Sequence, residues 1–432
     1  MLLTADWVLP VDSPPIRNGA MLVYNGRIAQ VGPLEGFATP ARTPRAEFPG
    51  HVLVPGLVDA HTHLSLTALA GLLRPSDFVS WLGRVVPMIR ALDDDDMASS
   101  VALGAIRCLE SGITVVGDIA YGPEAAATAA DLGLGGVFFW EVYGVPAAKL
   151  RHALSQAEFP LSAPADLGGR TRCGISPHSA YTSGPDLLRA AAKFSRERGF
   201  PLAIHVAESV AEMQLLSEGT GPLAPVAESL IAGFETPRRS TVAYLQQLGV
   251  LDGALAVHCV HLSSGDARML ADRTAGVVLC PRSNAFLRNG FPPFDALSQA
   301  GATLALGTDS PASNEDIDLF AEARSLREMH RKIAPARLLE MMTLDGARAL
   351  GMADRFGSFT PGKQADVIAV RIGTVDDPLE ALIELGGRDT IDTVMSAGIW
   401  RIREGRFATS PPAVENAARR ATQRAKDAMP GD

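Results

Sequence analysis

Eight short apolar runs, each followed by a stretch with helical periodicity, occupy the middle of this 432-residue chain and leave few architectures open. The runs are Val52 to Val58, Thr114 to Ile119, Gly135 to Val142, Arg172 to Ser176, Leu202 to Ala207, Leu255 to Val260, Gly276 to Leu279 and Thr303 to Gly307. After Asp93, for example, Val101, Ala102, Ala105, Ile106 and Leu109 recur at helical spacing, and Gly112 follows as a stop. Eight alternations predict an α/β chain folded as a (β/α)8 barrel, because an open doubly wound sheet more often has roughly five to seven strands.

Both ends have another texture. Met21 to Tyr24 and Arg27 to Val31 flank Asn25-Gly26, a dipeptide suited to the primed turns of tight hairpins. Ala365 to Arg371 and Thr393 to Ile402 are strand-like as well, so the two ends are expected to build one β module. The Ala- and Arg-rich segment from Pro411 onward reads as a surface helix or tail.

Composition narrows the function. Lys+Arg 39 against Asp+Glu 48 gives a net charge of -9, which offers no electrostatic footprint for nucleic acid or an acidic membrane. With 47% hydrophobic and 20% charged residues the chain is not of the disordered class, and a small-molecule substrate is expected. Cys108, Cys173, Cys259 and Cys280 are scattered and form no CxxC pair, so a disulfide framework is not expected. The N-terminus lacks a basic segment followed by a long apolar core, and no uncharged run approaches the ~18 residues of a membrane span. The expected compartment is the cytoplasm; a homodimer is one assembly the sequence leaves open.

The nine histidines carry the chemistry. His61 and His63 follow the first run in PGLVDAHTHL, and residues at i and i+2 of a strand share a face. Alone, an HxH pair is a weak pattern. His205 and Glu208 end LAIHVAE, His258 and His261 end LAVHCVHL, and Asp309 ends TLALGTDS. In a parallel barrel all those ends open on one face, which brings the side chains together. Three histidines and one carboxylate suit one divalent transition ion, Zn²⁺ first and Fe²⁺ second, whereas Mg²⁺ or Ca²⁺ would call for oxygen ligands. His51, His152 and His330 fall outside this pattern, and His261, three residues past His258, is expected to turn away from the ion.

PGLVDAHTHL, HVAES, HCVHL, GTDSPASN and GSFTPGKQADVIAV together resemble the amidohydrolase superfamily, in its cytosine deaminase and chlorohydrolase-like branch. The resemblance runs from Ala5 to Gly405. It implies a metal-dependent barrel over 55–358, a discontinuous β-sandwich from 1–54 and 359–408, and a helix or tail over 409–432. It further implies His61, His63, His205 and Asp309 as metal ligands, Glu208 as proton shuttle, His258 as partner of the attacking water, and His178 as a substrate contact. No lysine lies on the fourth expected strand, where binuclear relatives place a carboxylated one, so a single ion is implied.

The resemblance also bears on substrate. In the stretch VVPMIRAL, Ile89 stands where deaminases of S-adenosylhomocysteine and methylthioadenosine carry a ribose-binding acid. HTHLSLTALAGLLRPSDFVSWLGRVV, HVAESVAEMQLLSEGTGP and LCPRSNAFLRNG are similar instead to the aminodeoxyfutalosine deaminase subfamily of the alternative menaquinone pathway. Its substrate, an adenosine-like nucleoside bearing a benzoate, makes Arg282, Arg74 and Arg84 candidates for a carboxylate clamp and Trp81 a candidate stacking surface. The alternatives are another carbon–nitrogen hydrolase acting on a cyclic amide or on a guanine, pyrimidine or triazine amine, a chlorohydrolase, and a non-catalytic binding protein on the same scaffold.

Overall fold

The computed structural model describes residues 1–40, 42–122, 124–156, 169–407 and 412–430. Residues 408–411 and 431–432, which fall in the expected β module and C-terminal segment, lie outside the described residues. Among the described residues no helix is long and apolar enough to cross a membrane.

Four N-terminal strands, β1 (Leu2–Val8), β2 (Ile16–Tyr24), β3 (Arg27–Pro33) and β4 (Arg45–Pro55), precede eight strands in the middle of the chain. Those eight are β5 (Leu57–Thr62), β6 (Ile113–Ala120), β7 (Gly135–Val142), β8 (Thr171–Pro177), β9 (Ala203–Val206), β10 (Leu255–His258), β11 (Gly276–Leu279) and β12 (Leu304–Leu306). Near the C-terminal end follow β13 (Val367–Arg371), β14 (Ile391–Ser396), β15 (Ile399–Arg403) and β16 (Arg406–Phe407). Both ends join in one eight-stranded sheet of order β16-β15-β14-β13-β4-β1-β2-β3, as the shared texture suggested. Asn25 and Gly26 make the β2–β3 turn with φ of +48° and +72°, the left-handed pair a primed turn needs.

Two expected runs divide. Val52 to Val58 splits at Gly56: its first part ends β4, in the outer sheet, and its second begins β5. Periodicity could not show the break, because both pieces are apolar and buried. Thr393 to Ile402 is a hairpin, β14 and β15, turning at Ala397 and Gly398 with φ of +51° and +76°.

The eight middle strands form two parallel four-stranded sheets, β5-β6-β7-β8 and β12-β11-β10-β9. The ladders are not continuous between them. Single parallel bridges meet at each seam instead: Thr62 with Asp309 on one side, Ile175 with Leu202 and Ser179 with His205 on the other. Val58, Ala60, Val115, Phe139, Ala203, Val257, Val278 and Ala305 pack into one buried cluster that both sheets enclose. A second cluster lies between the strands and the helices outside them, so the strands are buried on both faces and read as unbroken apolar runs.

The helices close the structure. Asp94–Glu110 starts in a capping box between Asp93 and Asp96 and is followed by Gly112 at φ +76°, as its periodicity predicts. The C-terminal helix Pro412–Asp427 buries Ala421 and Ala425 against Leu69, Val85 and Met88, and Thr422 Oγ1 donates to the Ala68 carbonyl at 2.8 Å.

Candidate metal centre and substrate cavity

The site lies at the two seams, where the sheet ladders stop and side chains at the strand ends become free to converge. His61 lies within β5 and His63 just beyond it; His205 is on β9, His258 ends β10, and Asp309 follows β12. Ala207, His258, Cys259 and Asp309 all have left-handed backbones, with φ of +48°, +70°, +50° and +60°. Such a conformation costs a non-glycine residue about 1–2 kcal/mol, so packing must hold it, and it bends the chain out of the strand direction at the cavity. Gly307 permits the approach of β12 to β5, because a Cβ there would lie 2.8 Å from the His61 carbonyl oxygen.

The imidazoles form one group. Ring centroids lie 5.0 Å apart for His61 and His63, 5.1 Å for His61 and His205, and 5.5 Å for His205 and His258. Asp309 Oδ1 stands 3.4 Å from Nε2 of both His61 and His63. Its other oxygen accepts from Ser283 Oγ at 2.5 Å and from Ser313 Oγ at 3.3 Å. Neither ring nitrogen of His61, and not Nδ1 of His63, has a hydrogen-bond partner although both residues are buried. Buried polar atoms are seldom left so, and orphaned imidazole nitrogens beside a carboxylate are the donor set a borderline divalent ion takes.

The surrounding bonds orient the lone pairs. His205 Nδ1 donates to the His178 carbonyl at 2.8 Å, which leaves Nε2 for the group. His258 Nδ1 donates to Asn284 Oδ1 at 3.2 Å, leaving its Nε2 3.8 Å from Glu208 Oε1. Burial pushes His63 down to about 3 and His258 to about 4, and lowers His205 well below its ordinary value. Burial alone would raise Asp309, yet the imidazoles of His61, His258 and His63 hold it well below the carboxylate range. Neutral imidazoles around an ionised carboxylate are ready to ligate.

Glu208 has the opposite character. Burial, with Asp309 and Glu212 nearby, raises its carboxyl well above the usual range, while Asn289 Nδ2 donates to Oε1 at 3.2 Å. Burial therefore favours the protonated form of this carboxyl, the form that can deliver a proton.

A cavity of about 500 Å³ opens over this group, a size suited to a nucleoside. Its lining combines His63, His178, His205, Glu208, His258, Asp309, Tyr121 and Glu141 with the apolar Phe78, Leu82, Val86, Ile89 and Leu230. Trp81 lines it too, and its indole donates to the Ala312 carbonyl at 3.0 Å. The arginines are placed differently from expectation. Arg282 does not line the cavity, and its guanidinium pairs with Glu315, Asp316 and Glu322, so it has no free fork for a substrate carboxylate. Arg74 is exposed, and neither it nor Arg84 lines the cavity. Arg90 does line it, in line with Leu82 and Val86 on the helix Phe78–Arg90, and that i, i+4, i+8 spacing was legible in the sequence.

His51 binds Asp392, His152 is exposed and His330 faces Asp295, all outside the cavity lining. His261 is half-buried and outside the imidazole group, but β10 ends at His258, so the bend at 258–259 rather than strand alternation turns it away. Several supporting residues escaped the sequence reading. Ser283, Asn284 and Asn289 lie in the stretch LCPRSNAFLRNG, which drew notice for its resemblance and for Arg282 but gave these three no role. Glu212 did have one: Ser209 and Glu212 have capping-box spacing, and the Glu212 carboxyl accepts from the backbone N–H of Ala207 and Glu208 at 3.1 and 2.9 Å.

Residues 52–401 match the Amidohydrolase family. A 5-methylthioadenosine/S-adenosylhomocysteine deaminase of Syntrophobacter fumaroxidans is 32% identical over 390 residues, covering 86% of this chain and 84% of the relative. Among solved structures, a zinc-bound adenosine deaminase of Xanthomonas campestris superposes with a TM-score of 0.82 at 26% identity, covering 99% of this chain and 98% of that one. Helicobacter pylori aminofutalosine deaminase, bound to methylthio-coformycin, superposes with a TM-score of 0.80 at 18% identity, covering 93% and 100%.

Proposed function

Because this chain belongs to the amidohydrolase family, hydrolases of carbon–nitrogen bonds, we propose that it deaminates a purine-type ring hydrolytically, releasing ammonia from an adenine nucleoside. The observation that carries the reading is the convergence of orphaned imidazole nitrogens of His61 and His63 with the buried carboxyl of Glu208 in one cavity. The activities named for the relatives from Syntrophobacter fumaroxidans, Xanthomonas campestris and Helicobacter pylori support it.

His61, His63, His205 and Asp309 would hold one divalent ion, zinc first. Such an ion lowers the pKa of a bound water toward ~7 and withdraws charge from the reacting carbon. The chain supplies the rest. His258, neutral and fixed by Asn284, presents Nε2 to the cavity and orients the attacking water. Glu208 delivers its proton to the ring nitrogen and is restored by the first proton of the attacking water. Asn289 and the Glu212-braced backbone keep that carboxyl in place. Asp309 takes the water's second proton and passes it to the departing amine, which leaves poorly unprotonated, while Ser283 holds the carboxylate's orientation.

Aminodeoxyfutalosine is the substrate favoured here, which would put the enzyme in the cytoplasm and in menaquinone formation. The apolar part of the cavity lining suits an aromatic substituent, and Arg90 on that lining suits a carboxylate. The two parallel sheets, with their shared interior cluster, are taken as halves of one (β/α)8 barrel over 55–358. The eight-stranded sheet of β1–β4 and β13–β16 is taken as the β-sandwich module expected over 1–54 and 359–408.

An ammonia-release screen of metal-loaded protein across adenosine analogues, including aminodeoxyfutalosine, tests the reading, with chloride and carboxylate release followed in parallel. His61→Ala should lose metal and turnover together, whereas Glu208→Gln should keep metal and lose ~10²–10⁴-fold in kcat. Chloride or carboxylate release without ammonia would replace the reading by a chlorohydrolase or cyclic amidase.

A further inference from the structure

The chemistry above leaves one acid of the cavity wall unused. Val137, Phe139 and Glu141 alternate on one face of β7. The first two belong to the interior cluster, so Glu141 is the next interior position, where that core gives way to the cavity. Tyr121, just past β6, lines the cavity too and donates a hydrogen bond to the Glu141 carboxyl. The Oε1 atom of Glu141 is buried with no hydrogen-bond partner, and among the described residues no ion pair is formed by it. A polar oxygen left this way inside a cavity costs stability unless a ligand satisfies it.

Glu141, His178 and His205 have potential donor atoms within 4.8 Å of one another, which raises the question of a second ion. His205 answers it. Its Nδ1 is taken by the His178 carbonyl, and its single remaining nitrogen belongs to the group around His61. His178 Nδ1 in turn contacts Ser179 and Thr182 hydroxyls at 3.0 and 2.8 Å, so its Nε2 is the nitrogen left for the cavity. The occupant that fits this edge is an organic ring, not a metal.

We propose that Glu141, held by Tyr121 and acting beside His178, is a specificity-determining residue whose carboxyl O–H donates to a second ring nitrogen of the substrate, which only accepts. That nitrogen is distinct from the one Glu208 protonates. The inference rests on the deaminase reading of the cavity and deepens it: Glu208 and His258 hold the β9–β10 side, while Glu141 and His178 hold the β7–β8 side. Two-sided gripping selects fused heterocycles with ring nitrogens on both sides over rings that offer one.

The test compares wild type, Glu141→Ala and Glu141→Gln, all metal-loaded. Purine riboside binding, measured by calorimetry, should weaken about tenfold in the Ala variant and return to within about threefold in the Gln variant, whose amide both donates and accepts. In turnover, the Ala change should appear chiefly in KM, with metal content unchanged. Of 3-deaza- and 7-deazaadenosine, one should be a poor substrate for wild type, and Glu141→Ala should impose no further loss on that analogue. Equal purine riboside binding by wild type and Glu141→Ala, no binding by wild type, loss of metal from Glu141→Ala, or equal further loss on both analogues would overturn the proposal. A wild type that binds purine riboside but releases no ammonia from any purine nucleoside would instead remove the deaminase reading while leaving this comparison intact.

Discussion

Ser283 Oγ donates to Asp309 Oδ2 at 2.5 Å, and that bond leaves Oδ1 as the carboxylate oxygen facing His61 and His63. Ser283→Ala removes the stronger of two hydroxyl contacts and leaves Ser313, at 3.3 Å, as the weaker support. Metal affinity should fall about 10- to 100-fold, the usual cost of losing a bond that orients a ligand. Competition with a chelator checks this, and an unchanged dissociation constant would remove the orienting role.

Asp59 ties β5 to the chain after β12. It accepts from the backbone N–H of Thr308 at 3.0 Å, from Thr308 Oγ1 at 2.6 Å and from the His61 N–H at 3.3 Å. Burial raises its carboxyl to about 6 despite those bonds. Asp59→Ala leaves buried donors unpaired on β5 and on the chain after β12 and should cost about 1–3 kcal/mol in denaturant unfolding of the metal-free chain. Thr308→Val, which removes only the hydroxyl, should cost less. Equal costs for the two variants would show that the backbone bonds contribute nothing.

How much of this was legible beforehand differs by residue. Strand limits such as Gly135–Val142 and Gly276–Leu279 could be read directly, because strands buried on both faces are apolar throughout. Gly56, between β4 and β5, could not be read as a sheet boundary, since apolar residues continue on both sides of it. His61, His63, His205, His258 and Asp309 announced themselves by residue type at strand ends. Ser283, Asn284 and Asn289 did not, because a hydroxyl or amide in a connecting segment gains its meaning only from the partner it meets in space. Arg282 shows the converse: a cation chosen for a substrate carboxylate proved to be satisfied by the chain's own acids.

Acidity should disturb metal binding less than the histidine count suggests. An unperturbed imidazole, near 6.5, is mostly protonated at pH 5 and must shed that proton to ligate. Burial lowers His63 to about 3 and places His205 well below its ordinary value, so both stay neutral in the folded chain as pH falls from 7 to 5. Zinc affinity across that interval should drop by no more than about a hundredfold, against on the order of a thousandfold if those two residues alone titrated normally. Zinc titrations of the metal-free protein at both pH values decide it, and the larger drop would mean that these imidazoles are not held neutral.

The C-terminal helix reaches the cavity through the helix Phe78–Arg90, whose Trp81, Leu82, Val85, Val86 and Ile89 both line the cavity and pack in its cluster. Val85 belongs to the helix Phe78–Arg90, lines the cavity, and packs in the same buried cluster as Ala421 and Ala425. Arg424 adds a contact to Asp93 and one to Asp96 at 2.9 Å, so Pro412–Asp427 clasps the segments that carry the apolar lining of the cavity. The imidazoles stand on or just beyond the strands and do not depend on that clasp. Ala421→Asp places an unpaired carboxylate in a buried contact and should displace the helix rather than bury the charge. The expected result is a KM raised about tenfold or more, with metal content held and kcat changed by less than about threefold. Ala421→Ser, small enough to remain in place, should leave KM near wild type. Metal loss in Ala421→Asp, or an unchanged KM despite release of the helix to proteolysis, would show that the clasp does not shape the cavity.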